Sequence, residues 1–415
     1  MLLKTILNQV ERNKSFVYGK IGWFNKGKSI EVEVLPRANS KPFCSGCGRR
    51  GPAYDRLPWR IFEFVPLWQI GVFFVYAPRR VDCGRCGVKV ELLPWGDGKC
   101  QLTNTYRWFL ASWAKRLSWK EVAEVFGTTW QNVCRSVETA VEWGLKHRDI
   151  RGILAIGIDE IQWRLGHHYL TLVYQIDEGS KRLLWIGIER TKESLEGFFT
   201  MLGREGCAKL KFICSDMWKP YLDVIAKRAG AAVHILDRFH IMARLNKALD
   251  EVRAGEARRL KEDGHEPLLK HSRWCLLKRP ENLTEKQVVR MAELLRYNLH
   301  SVRAYLHRED FQRFWEYRSP WTAARFFREW STRVMRSRLE PLKKIARSLR
   351  KHEALLLNWF KAKGTISSGV VEGFNNKAKL TMRKSYGFRS QRIIQLALYH
   401  NLGALPEPTF THKFW

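Results

Sequence analysis

Three consecutive strand-like runs, followed by an alternation of helix and strand, restrict the middle of this 415-residue chain to a narrow set of folds. Residues 153–158 form a buried apolar run that ends in Asp159-Glu160, and residues 169–176 and 182–188 follow as two more stretches rich in β-branched and aromatic side chains. The period then changes. Residues 194–202 read as a helix, 210–214 as a strand that stops at Ser215-Asp216, 221–228 as a helix and 232–236 as a strand.

That order is the plan of a ribonuclease H-like domain, whose first and fourth strands are neighbours in the sheet. On this plan Asp159 and Asp216 terminate adjacent strands. A third acid comes from residues 367–383, where Val371, Phe374, Ala378 and Met382 recur as a buried helical stripe and Glu372, Asn376, Lys379 and Arg383 line another face. Ser367 or Ser368 is the expected helix cap. An ordinary amphipathic helix with a solvated Glu would look the same in isolation. Glu372 stands out because it would complete a metal site begun by Asp159 and Asp216.

Three carboxylates at one sheet edge suit two Mg²⁺ ions, with Mn²⁺ as a substitute, because hard cations prefer oxygen ligands. Such a pair activates the attacking oxygen and neutralises the leaving one in an in-line displacement at phosphorus. Asp159 is the better candidate for bridging both ions, and Glu372 would hold the second. Glu160 is the alternative ligand, although strand alternation sends it to the opposite face. Asp237 and His240 follow the fifth strand closely. They are auxiliary candidates beside the site, or else a helix cap and a packed imidazole.

The formal charge of +32 is spread along the chain and interleaved with Trp, Phe and Tyr, which favours a nucleic acid partner held over a wide surface. The first residues are too soon interrupted to resemble a signal sequence and no apolar run approaches a membrane span, so a cytoplasmic protein is expected. Cys44-x2-Cys47 and Cys83-x2-Cys86 supply four soft ligands at zinc-site spacing, a closed structural set with no position left for water. Cys100, Cys134, Cys207, Cys214 and Cys275 read as small buried residues. Ser118 with Glu121 and Thr128 with Gln131 form two capping boxes around Gly127, a helix-turn-helix signature with Gln131, Asn132 and Arg135 at the exposed start of its second helix. A helical hairpin without DNA contact has the same local pattern. Lys379 and Arg383 are candidates for DNA phosphate contacts, and residues 240–363 are helical with Trp274, Trp315, Trp321 and Trp330.

The paired cysteine knuckles, Leu93-Pro94-Trp95, the helix-turn-helix, Ile158-Asp159-Glu160, Ser215-Asp216-Met217-Trp218, Asp237-Arg238-Phe239-His240 and Val371-Glu372-Gly373-Phe374-Asn375-Asn376-Lys377 occur in one order that resembles the ISL-three family of bacterial insertion-sequence transposases. The resemblance implies a multidomain α/β chain: a zinc-binding, ribbon-like module (1–98), a helix-turn-helix (99–150), a ribonuclease H-like catalytic core in two parts (151–239 and 365–403) around a large helical insertion (240–364), and an irregular tail (404–415). It further implies recognition of terminal inverted repeats, cleavage at the element's ends, joining to target DNA, and a homodimer or larger assembly on the bacterial nucleoid. The catalytic acids carried over are Asp159, Asp216 and Glu372. A non-catalytic DNA-binding regulator and a nuclease or resolvase remain the rival expectations.

Overall fold

In the computed structural model, which describes residues 3–265, 267–362, 369–385, 387–388 and 390–409, the chain divides into two units, residues 1–149 with 380–415 and residues 150–379. Ser367 and Ser368, the expected caps, lie outside the described residues.

The first unit opens with α1 (Leu3–Val10), β1 (Phe16–Phe24) and β2 (Ser29–Pro36), then β3 (Ala53–Arg56), β4 (Arg60–Leu67), β5 (Ile70–Tyr76), β6 (Arg79–Cys83) and β7 (Gly87–Val90). Alternation decides how the larger sheet, ordered β1-β2-β5-β4, buries itself: Val32 and Val34 of β2 turn inward while Glu31 and Glu33 stay partly exposed. Trp95 closes this core at 0 % exposure, with Phe16 and Tyr76 edge-on at 4.7 and 5.4 Å. The smaller sheet, β3-β6-β7, carries the Cys83–Cys86 knuckle at its β6-β7 turn, and the Cys44–Cys47 knuckle, which precedes β3, lies against it through a bridge from Cys44 to Glu91.

Next come α2 (Asn104–Ala114), α3 (Trp119–Val125) and α4 (Trp130–His147). Ser118 and Glu121 make the expected reciprocal cap on α3. The second cap differs from expectation. Gly127 takes φ +62° and the Thr128 amide still bonds back to Ala123 O at 2.9 Å, so Thr128 belongs to the turn and Thr129 caps α4, accepting from Asn132 N at 3.2 Å. The last helix, α15, also departs from the expected division. Its Leu396 and Ala397 pack with Leu110, Val122, Val133 and Val137 of the helix-turn-helix, because Ile393, Leu396 and Ala397 form an apolar stripe that matches the one on α4.

The second unit begins with β8 (Ala155–Arg164), β9 (His168–Asp177) and β10 (Ser180–Ile188), continues through α5 (Lys192–Lys209), β11 (Phe212–Ser215), α6 (Lys219–Ala229) and β12 (Val233–Leu236), and has sheet order β10-β9-β8-β11-β12. The first and fourth strands of this unit are parallel neighbours, pairing Ala155 with Phe212 and Gly157 with Cys214. Helices α7 (Arg238–Glu262), α8 (Arg273–Leu277), α9 (Glu285–Leu295), α10 (His300–Gln312), α11 (Pro320–Arg336), α12 (Glu340–Lys351) and α13 (Glu353–Lys361) fill the stretch expected to be helical. Trp315 and Trp330 pack into its core with Phe311, Phe314 and Phe327, whereas Trp274 and Trp321 are 56 % and 69 % exposed. Two helices complete the chain, α14 (Gly369–Lys384), which starts in this unit, and α15 (Gln391–Leu402) in the first. No helix among the described residues is long and apolar enough to cross a membrane.

Candidate active site and metal centre

Asp159 lies inside β8 and does not terminate it, contrary to the sequence reading. Antiparallel pairing with β9 carries β8 on to Arg164, while the last parallel pair with β11 is Gly157 with Cys214. Asp159 therefore stands two residues beyond the point where one neighbour stops, and Asp216 follows the end of that neighbour. Asp159 is 8 % exposed and Asp216 is half-buried.

Helix α14 is pinned over this opening by close packing. A Cβ added to Gly157 would meet Val371 Cγ2 at 2.3 Å, so the bare glycine lets the helix approach the strand. Phe374 stacks on Tyr174 at 4.8 Å, the Tyr174 hydroxyl donates to Asn375 Oδ1 at 3.0 Å, and Asn375 Nδ2 donates to Asp159 Oδ2. Glu372 is exposed, one short helical turn before Asn375 and about 60° around the axis from it. Gly157→Ala is expected to push α14 outward at a cost of about 1–3 kcal/mol, the range for overpacking a well-filled core. A lowered melting temperature with weakened cleavage would be the signature; wild-type values for both would contradict the tight seat.

The Asp237 side chain caps α7, accepting from Phe239 N at 2.8 Å, and burial pushes its pKa up to about 6 against the opposing charge of His240. His240 lies in the first turn of that helix with Nε2 3.3 Å from Asp159 Oδ1. Burial alone would lower its pKa, but the hydrogen bond and charge of Asp159, with Asp216 and Asp237 behind them, raise it to about 9. Glu160 comes alongside Arg190, the same residue that reaches Asp216, and burial pushes its pKa up to about 7 despite that cation. Arg190 and Asn375 are the two contacts that the sequence reading missed. Asn375 had a detectable signal, its position between Phe374 and Asn376 on the flank of the buried stripe; Arg190 had none, because it lies between a strand and a helix far from either acid in the chain.

The four thiols of Cys44, Cys47, Cys83 and Cys86 come within 4.8 Å of one another. Backbone N–H groups of Arg85 and Cys86 lower the Cys83 pKa to about 6, whereas the nearby Cys47 pushes Cys86 up to about 12. This crowding of incipient thiolates fits a tetrahedral cation that would relieve their repulsion. Asp159, Asp216 and Glu372 do not form an equally tight set among the described residues. Their all-oxygen donor chemistry nevertheless suits hard divalent cations.

On α4, Gln131 and Arg135 are exposed, while Asn132 is half-buried and its amide donates to Thr128 Oγ1 at 3.0 Å. Asn132 and Arg135 line a groove with Lys99, Arg107 and Arg392. Lys379 and Arg383 are exposed on α14.

Residues 156–398 match the family model of ISL-three DDE proteins, described as a transposase. The chain belongs to that transposase family. The transposase for insertion sequence element IS1001 of Bordetella parapertussis is 26 % identical over 375 residues, covering 90 % of this chain and 91 % of that protein. The transposase for insertion sequence element IS1557 of Mycobacterium tuberculosis is 27 % identical over 418 residues, 92 % and 90 % of the two chains. This chain is thus a DNA transposase, an enzyme class that binds and breaks DNA with divalent metal, and neither the regulator nor the resolvase reading is favoured.

Proposed function

We propose that this transposase recognises the terminal inverted repeats of its element, cuts there and joins the ends to target DNA, using Asp159, Asp216 and Glu372 on a ribonuclease H-like core. The observation that carries the reading is the docking of α14: Asn375 touches Asp159 and Val371 fills the space above Gly157, so Glu372 rides on a helix seated against the strand that bears Asp159. Two Mg²⁺ ions, replaceable by Mn²⁺, would supply Lewis-acid stabilisation of the attacking and leaving oxygens when bound.

The chain's own residues have separable tasks. Asp159 would be a ligand to the metal, its carboxylate oriented through Oδ2 by Asn375 and through Oδ1 by the Glu160 amide at 2.7 Å. Asp216 and Glu372 would supply the remaining carboxylate ligands. His240 Nε2 lies 3.3 Å from Asp159 Oδ1 and helps to orient it, while Asp237 fixes the helix turn that bears the imidazole. Gln131, Asn132 and Arg135 would read the repeat in the major groove, with Lys379 and Arg383 on backbone phosphates. The cysteine set would hold one structural zinc. Pairing of two element ends calls for a dimer or larger assembly.

The test is incubation of the purified protein with a DNA fragment carrying the element end, with and without Mg²⁺, and mapping of nicks. A metal-dependent nick at the element boundary is expected. Cleavage that persists in chelator, or that ignores the boundary, would overturn the reading.

A further inference from the structure

Arg190 reaches two acids at once. Its Nη2 donates to Asp216 Oδ2 at 3.1 Å, its Nε lies 2.9 Å from Glu160 Oε1, and its guanidinium sits 4.5 Å over the Trp218 ring. The second Asp216 oxygen, Oδ1, accepts from Met217 N at 2.5 Å. Two donors from different directions therefore fix the plane of this carboxylate and still leave each oxygen a free lone pair.

The backbone around Arg190 is held on both sides. Glu189 adopts φ +62°, a left-handed conformation costly for a residue with a Cβ, and is tied there by its N–H to Tyr169 O at 3.0 Å and by Thr171 Oγ1 donating to its carbonyl at 2.7 Å. On the other side, Thr191 caps α5, accepting from Ser194 N at 3.2 Å. Strain retained next to an arginine anchored three ways describes a fixed part, not a mobile latch.

We propose that Arg190 is a positioning residue that presents Asp216 to its metal, with Glu160 and Trp218 serving to hold the guanidinium. This rests on the assignment of Asp216 as a ligand. A nearby cation would by itself repel a metal ion, but the Glu160 carboxyl group, with a side chain only 9 % exposed, lies 2.9 Å from Arg190 Nε and when ionised offsets part of that field. What remains is orientation. Removing Arg190 should therefore weaken metal binding, as losing the partner of a metal-ligating carboxylate does.

The experiment is Mn²⁺ titration of the full chain, followed by electron paramagnetic resonance, together with cleavage rates at several Mn²⁺ concentrations. For Arg190→Ala, Mn²⁺ affinity should fall by about 10–100-fold, with the cleavage rate largely recovered at saturating Mn²⁺. Arg190→Lys should recover only part of the affinity, because an ammonium cannot fork to both acids. Affinity within twofold of wild type in Arg190→Ala would overturn the proposal. If that variant does not fold, Glu160→Gln, which keeps shape but removes the anchoring charge, should weaken Mn²⁺ binding several-fold, and unchanged affinity there overturns it equally. Asp216→Asn separates the two levels: retained Mn²⁺ binding in it refutes the active-site reading itself, while lost binding there with intact binding in Arg190→Ala refutes only the role of Arg190.

Discussion

Asp159→Asn is expected to lower metal-dependent cleavage of element-end DNA by about 10³-fold or more, with end binding reduced by less than tenfold. The magnitude follows from where the charge acts. A carboxylate that would hold the cations keeps in place the charges that stabilise the attacking and the leaving oxygen, and losing one preorganised electrostatic contact already costs roughly 10²–10³ in rate. DNA binding, in contrast, is spread over a surface carrying a net +32 and depends little on one carboxylate that is 8 % exposed. Asparagine keeps the shape of Asp159, so the fold should survive.

The same variant carries a second readout through His240. In metal-free protein its folded-state pKa of about 9 lies above the ordinary value of 6.5, so its contribution to stability is complete below pH 6.5 and is lost as pH rises through 9. With Asp159 neutral, the main support for the raised value disappears. Burial then pulls the imidazole down, and the decline of stability between pH 6.5 and 9, worth up to about 3 kcal/mol for His240, should flatten. Unchanged cleavage, or a His240 titration near 9 in the variant, would show that Asp159 is not the centre of this site.

Much of the second unit was legible because its elements announce themselves locally. The apolar run before Asp159 and the β-branched residues of β9 depend on near neighbours in sequence, as does the capping box at Ser118 in the first unit. Errors arose where a distant partner decided the outcome. Strand β8 runs past Asp159 only because β9 is long enough to pair with it, and α15 joins the helix-turn-helix because a matching apolar stripe lies some 250 residues earlier, on α4. The ion pair between Arg190 and Asp216 spans a strand-to-helix junction whose shape is set by a left-handed Glu189, a conformation that no periodicity reveals. Asn375 shows the same limit on a smaller scale. Its place on the flank of the buried stripe marks a packed amide, but the partners that give it a role, Tyr174 as donor and Asp159 as acceptor, are 201 and 216 residues away in the chain.

Cys83→Ser is expected to release the bound metal and to unfold the β3-β6-β7 sheet while leaving the neighbouring aromatic core intact. The sheet has little else to hold it. Its buried apolar side chains amount to Cys44, Val81 and Cys83, and all four residues of β3 are exposed. Burial of a single valine is worth about 1.5–3 kcal/mol, whereas structural zinc sites supply roughly 10–16 kcal/mol of apparent binding free energy that is also folding free energy. Beside it, Phe16, Phe62, Phe74 and Tyr76 close around Trp95 without help from any cysteine. Glu91 marks the border between the two, since it accepts from the Tyr76 hydroxyl, from Arg79 N at 2.7 Å and from the Arg79 guanidinium. Limited proteolysis should consequently cut near Arg49, Arg50 and Arg85 in the variant and in chelator-treated wild type, while the near-ultraviolet signal of the tryptophan-centred core persists. The wild type should contain one zinc per chain. Full zinc content together with wild-type protease resistance in Cys83→Ser would mean that the four thiols are ordinary packing residues and that the small sheet is stabilised by its border with the aromatic core.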